Sequence, residues 1–215
     1  MSENIGKVFS GFEFKQLCKT DFYKILSENL IHHGYQYIDG VNVCSQEFNP
    51  KNECSSGGLY FTELNKIPSW LTYRSDLSYI VKVEILDDSL IYVEENKFKA
   101  NKFSVDMSTK CEIKDFPFWN DMEFCKLAVQ QNVCTLLHVK EQTEELCKLA
   151  VQKNSDVLLY VKEQTEEICK LAVQQNGCAL EYVKDQTEEL CKLAVQNDGC
   201  ALFYVKDEFK AICST

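Results

Sequence analysis

Two different rhythms of apolar and polar residues share this chain, and they change over near residue 115. In the first stretch Tyr79–Ile85 (YIVKVEI) alternates strictly. Tyr79, Val81, Val83 and Ile85 fall on one side with Lys82 and Glu84 on the other, the two-residue period of a half-buried strand. Leu59–Thr62, Leu90–Val93 and Phe98–Val105 predict shorter strands. Thr20–Asn29 and Leu64–Tyr73 read as helices, the first opened by a cap at Thr20 or Asp21. Residues 1–115 are therefore expected to form an α+β module. A linker or docking segment follows at 116–120, where Pro117 interrupts regular structure and Phe116, Phe118 and Trp119 need burial.

From Asp121 onward the period is helical and the sequence repeats. The units are 121–142, 143–164, 165–186 and 187–208, with a truncated fifth from Phe209 that is expected to cap the array. Each unit predicts a helix, a turn and a shorter helix. Thr143, Thr165 and Thr187 are suited to N-caps, and the glutamates after them favour the positive helix end. Glu144–Lys148, Glu166–Lys170 and Glu188–Lys192 are i, i+4 pairs in the favourable order. Asn176–Gly177 and Asp198–Gly199 suggest left-handed stops. Leu149, Leu171 and Leu193 never vary and are expected in the core. Neither helix is long enough to stand alone, so stability must come from stacking. The expected fold class is an α+β N-terminal domain followed by an all-α helical-repeat domain, a short solenoid.

Charge and composition narrow the function. Of 215 residues, 33 are acidic and 23 basic, for a net charge of −10. That balance opposes nucleic-acid binding, which rests on neutralising phosphates. No apolar run approaches the roughly 20 residues that span a bilayer, and MSENIGKVFSG lacks the apolar core of a signal peptide. No membrane association and no secretion are expected. The 12 cysteines suggest a disulfide scaffold until their positions are read. Cys125, Cys147, Cys169, Cys191 and Cys213 recur once per unit, and Cys134, Cys178 and Cys200 form a second series broken by Asp156. This is the behaviour of reduced, buried packing residues. Zinc would want close pairs such as C-x2–4-C, which are absent. No metal and no cofactor are expected.

Candidate sites differ between the halves. His33, Asp39 and Cys54, with His32 and Ser55 beside them, hold the side chains of a Cys/His or Ser/His site. No nucleophile elbow, phosphate loop or H-E-x-x-H accompanies them, so satisfied structural residues are the plainer reading and catalysis the alternative. Gly57–Gly58 suits a tight turn into a strand. The basic run FKANKF, offset by Glu94 and Glu95, reads as a solvated strand end. In the repeats, His138, Tyr160, Tyr182 and Tyr204 form an aromatic ladder, and one position varies sharply: Leu137, Leu159, Glu181, Phe203. Variation inside an otherwise near-identical unit marks a solvent or partner face. The expected binding residues are Leu159, Glu181, Phe203, Tyr182 and Tyr204, with burial of Phe203 against an end cap as the competing reading.

The motifs HHGYQYIDGVN, FNP, CSSGGLYFT, the Trp70 segment and VEENKFKANKF resemble an uncharacterised N-terminal module of mimivirus-like giant viruses, of the GGLYF type. The repeats resemble a short helical repeat of unknown function from the same viruses. Ankyrin signatures such as T-P-L-H are absent. The resemblance implies lineage and architecture and a setting in host cytoplasm, viral factory or virion, and it brings no established catalytic residues. The leading reading is an adaptor that binds a protein partner through its repeat surface. The alternatives are an enzyme with a small-molecule or nucleotide-modifying site in residues 9–110, and a structural component working as a homo-oligomer.

Overall fold

A computed structural model describes residues 2–51, 56–71 and 76–213. The chain divides into two compact units, Met1–Phe116 and Pro117–Thr215.

The N-terminal unit is α+β. Its strands are β1 (Val8–Ser10), β2 (Phe22–Ser27), β3 (Ile31–His32), β4 (Tyr35–Gln36), β5 (Gly40–Val43), β6 (Leu59–Glu63), β7 (Leu77–Glu84), β8 (Leu90–Val93), β9 (Phe98–Ala100) and β10 (Lys102–Glu112). Eight of them form an antiparallel sheet in the order β1-β8-β9-β6-β2-β7-β10-β5, and β3-β4 is a separate hairpin. Asn101 alone separates β9 from β10, although the two strands stand four places apart in that order. The sheet must therefore roll. Asn101 fastens the roll, its carbonyl accepting from Cys44 N at 2.8 Å and its Oδ1 from Leu90 N at 2.8 Å. One apolar cluster fills the inside, including Phe22, Leu26, Phe61, Val81, Phe98 and Phe103. Helix α1 (Gly11–Leu17) contributes Phe14 to it, whose ring meets Phe22, Phe61 and Phe98 at 5.0–6.2 Å.

Two local expectations are corrected, and one helix was not expected. Thr20–Asn29 is not a helix; its middle is β2, every residue of which is buried. A strand covered on both faces shows no alternation, and its apolar positions 22, 25 and 26 imitate a helical face. Leu64–Tyr73 yields only a 3-10 turn, Leu64–Lys66, and the single helical turn α2 (Ile67–Trp70), while 72–75 lie outside the described residues. Helix α1 went unforeseen although its start is written in the sequence: Ser10 and Glu13 make a reciprocal capping box.

The second unit repeats one motif. Helices α3 (Met122–Gln131), α4 (Glu144–Lys153), α5 (Glu166–Gln175) and α6 (Glu188–Asn197) are each followed by a six-residue 3-10 helix: Val133–His138, Ser155–Tyr160, Gly177–Tyr182 and Gly199–Tyr204. A final helix α7 spans Asp207–Cys213. The second helix of each unit is thus 3-10 rather than α, and the left-handed stop is not used. Asn176 sits at φ −149°, ψ 112°. Its N–H closes α5 on Ala172 O while its side chain accepts from Cys178 N at 3.0 Å. Asn132, Asn154 and Asp198 do the same. One extended residue caps both helices, which is why Val133 or Ser155 can replace the following glycine.

Candidate functional site

The repeat surface is built by three ladders. Thr143, Thr165 and Thr187 accept from the backbone N–H three residues on, at 3.3–3.4 Å, and so start α4, α5 and α6. Leu146, Ile168 and Leu190 then point inward with Ala150, Ala172 and Ala194. The expected core leucines Leu149, Leu171 and Leu193 are only half-buried. They lie one position around the helix from the face that stacking covers, so identity between repeats did not mean burial. Lys148 bridges Glu144 at 3.2 Å and Glu167 of the next unit at 2.8 Å; Lys170 does the same with Glu166 and Glu189. The Lys170 ammonium is pushed above its usual range by the hydrogen bonds it donates to these carboxylates.

The ladder that sequence reasoning missed is Gln142, Gln164 and Gln186, the residue before each capping threonine. Gln164 Nε2 donates to Leu158 O at 3.0 Å in its own unit and to Tyr182 O at 2.9 Å in the next. Its Oε1 accepts from Lys184 N at 2.9 Å and from Cys169 Sγ at 3.8 Å. Gln142 and Gln186 repeat the pattern. The lysine after each 3-10 helix adds to it: Lys184 Nζ donates to Val161 O and Lys162 O at 2.9 and 2.8 Å. Its signal was a glutamine kept at one polar position of the first three units.

The first cysteine series packs under this seam. Cys125, Cys147, Cys169 and Cys191 are buried, and burial pushes the thiols of Cys125, Cys147 and Cys191 up to about 11. The second series differs from expectation. Cys134 and Cys178 are half-buried and Cys200 is exposed, because the second position of the 3-10 helix turns away from the core. Among the described residues no group of three His, Cys, Asp or Glu side chains is arranged to hold a metal ion.

The variable series lies on the outward side of the 3-10 helices. Leu137 and Leu159 are 55% and 57% exposed, Glu181 is exposed, and Phe203 is 83% exposed. Burial of Phe203 against the terminal helix does not occur; its ring meets the edge of Tyr204 at 5.4 Å. Tyr182 and Tyr204 are half-buried beside it. At the first rung, His138 stacks on the buried Trp119 at 5.3 Å, and burial lowers its pKa.

Among the described residues, Asp39 is not one of those that line the cleft at His33. Asp39 Oδ1 accepts from Met107 N at 2.8 Å and is occupied in holding β10. His33, at φ +50°, lines a cleft at the β3–β4 hairpin. Cys54 lies outside the described residues. The basic run is not a solvated strand end: Lys99 is fully buried, with Nζ donating to Asn49 O at 2.7 Å.

Comparison with known proteins places the chain. It is 31% identical over 114 residues to the uncharacterized protein R869 of Acanthamoeba polyphaga mimivirus, covering 52% of this chain and 81% of that one. The chain belongs to the R869 family of giant-virus proteins. It is 38% identical over 115 residues to the putative ankyrin repeat protein R868 of the same virus, covering 51% of this chain and 56% of R868. A third relative there, the putative ankyrin repeat protein R229, is 36% identical over 75 residues, 31% of this chain and 24% of its own length. The chain thus spans little more than half of R868 and a quarter of R229. A family model for a domain of unknown function, DUF4116, matches residues 143–187, the second and third repeats of this R869 relative. No solved structure matches. Among the described residues no helix is long and apolar enough to cross a membrane.

Proposed function

We propose that the repeat array of this giant-virus protein is a protein-binding platform, and that the chain acts as an adaptor in host cytoplasm or viral factory. In this reading 1–115 is the GGLYF-type module, 116–120 the docking segment and 121–215 the binding array. The observation that carries it is the Leu137, Leu159, Glu181, Phe203 series, an exposed position on four successive 3-10 helices whose third position is buried in every unit. A stacked array offers a long surface for its mass, and specificity resides where the units differ. Exposed aromatic residues next to a second ring, as Phe203 is to Tyr204, are the usual anchors of such surfaces. The ankyrin-repeat names of two relatives agree with a repeat-based role.

The test pairs Phe203→Ala and Leu159→Ala with the wild type in affinity capture from infected cells. A side chain 83% exposed contributes little to folding, so melting should shift by less than about 0.5 kcal/mol, while a specific set of captured proteins is lost. Retention of the whole captured set by the double variant would remove the binding role from this face. A large loss of stability would return Phe203 to the end cap.

A further inference from the structure

Three residues complete one turn of a 3-10 helix, so its second and fifth side chains lie one above the other. In the second repeat these are Asp156 and Leu159, in the third Cys178 and Glu181, and in the fourth Cys200 and Phe203. Asp156, Leu159, Glu181, Cys200 and Phe203 are exposed. The tyrosines that end the same helices, Tyr160, Tyr182 and Tyr204, stand half-buried beside them. The outward face of the array is therefore a row in which an acidic rung, Glu181, lies between an aliphatic and an aromatic one. A second carboxylate, Asp156, stands one unit back.

The cations of the array are engaged elsewhere. Residues 121–215 hold 16 acidic and 10 basic side chains. Lys148, Lys170 and Lys192 bridge glutamates of the α-helices. Lys162 Nζ donates to Val139 O and Lys140 O at 2.9 and 2.8 Å, and Lys184 and Lys206 also turn onto backbone carbonyls. Among the described residues, the carboxylates of Asp156 and Glu181 take part in no ion pair and no side-chain hydrogen bond. Both act on one ring. The Tyr182 phenol is held above its usual range by the charge of Glu181 first, then by burial and by Asp156. Phe203 is 83% exposed with its ring against Tyr204. Packing within the array therefore leaves two negative charges and an apolar flank on either side of Glu181 facing outward.

We infer that this row binds an extended basic segment of a partner protein, with one arginine or lysine between apolar residues three positions to either side. The inference rests on the adaptor reading and names the chemistry of the partner. Stacked helices are spaced by roughly 8–10 Å. A chain in the polyproline II conformation advances about 9 Å in three residues and brings every third side chain to one face. Its cation meets Glu181 and Asp156 beside the Tyr182 ring, while its apolar residues lie against Leu159 and Phe203. A further apolar residue reaches Leu137. An aromatic ring next to carboxylates suits a guanidinium, which stacks and donates hydrogen bonds at once. The same carboxylates repel the phosphates of a nucleic acid and the anionic surface of a bilayer.

Fluorescence polarisation of labelled peptides with the full chain tests it. The probe is Leu-Pro-Ser-Leu-Pro-Ser-Arg-Pro-Ser-Leu, made in both chain directions, and its match carries glutamate in place of arginine. In at least one direction the arginine peptide should bind about tenfold or more tighter than its match, and less tightly as salt is raised. Glu181→Lys, an exposed change with its melting curve as the folding control, should reverse the preference between the two peptides. Phe203→Ala should weaken the arginine peptide by about fivefold or more. Equal affinity for the two peptides, or no binding of either arginine peptide at ~1 mM, overturns the inference. So does binding of the arginine peptide that Glu181→Lys or Phe203→Ala leaves unaltered. The adaptor reading fails separately, through retained capture by the Phe203→Ala, Leu159→Ala variant. Lost capture together with equal peptide binding removes the basic segment and keeps the platform.

Discussion

Replacing Gln164 with methionine removes the polar end of one staple while keeping its length and volume. The wild-type amide donates to Leu158 O at 3.0 Å and Tyr182 O at 2.9 Å and accepts from Lys184 N at 2.9 Å. Each such bond contributes about 0.5–1.5 kcal/mol net, and an orphaned partner in a partly buried seam costs at the upper end of that range. Three bonds lost together predict a destabilisation of about 3 kcal/mol. For a chain of this size that corresponds to a fall in melting temperature of roughly 6–12 °C, read from the helical signal in circular dichroism. Gln175→Met is the matched control, since Gln175 makes one exposed bond, to Gln152 O at 2.9 Å, and should cost less than about 1 kcal/mol. Equal melting of the two variants would refute the reasoning and leave the stack to apolar contact alone.

Leu146→Ala should cost about 2–5 kcal/mol because the side chain is fully enclosed, whereas half-buried Leu149→Ala should cost clearly less; urea titration of the pair compares them. For His138, burial lowers the pKa from 6.5, so the folded state favours the neutral ring. Below pH about 6.5 the unfolded chain takes up a proton that the folded chain resists, and stability should drop between pH 7.5 and 5.5. His138→Tyr, the residue used by the other units, should flatten that part of the melting profile, and an unchanged slope would contradict the assignment. Rungs of the cysteine ladder belong to helices that pack at roughly 8–10 Å, beyond the ~7 Å Cα limit of a disulfide. Alkylation at pH 8 without reductant should therefore label Cys200 quickly and Cys147, raised to about 11, slowly; native disulfides within 121–215 would contradict the packing.

How much of this was legible in the sequence depended on the range of the interactions. The repeat units declared themselves because their signals are local: the Thr143 cap, the Glu144–Lys148 pair and the inward Leu146 all lie within one turn or two of each other. The outward Leu159, Glu181 and Phe203 were legible for the same reason, as departures from a written pattern. Burial was less so. The Leu149 position is leucine in all four units while that of Leu146 varies among Phe, Leu and Ile, and only stacking decides that Leu146 is covered and Leu149 half open.

In the first unit the alternation of Tyr79–Ile85 and the Ser10–Glu13 capping box are sequence facts, and β7 and α1 follow from them. The partners of each strand do not. β2 looked helical because its neighbours β6 and β7 come from residues about 40 and 55 positions away, and burial by both erased the alternation that identifies a strand. Lys24, Tyr60, Trp70 and Lys97 are scattered over more than 70 residues and carry no spacing that links them. They line one cleft only because β2 and β6 part after two pairs and the sheet rolls through Asn101. The repeats, their threonine caps and their variable face could be read along the chain, since 3.6-residue geometry acts on near neighbours. Strand order, the buried lysines and the cleft arise from contacts between distant segments, because backbone pairing between such strands leaves no periodic trace in either strand alone.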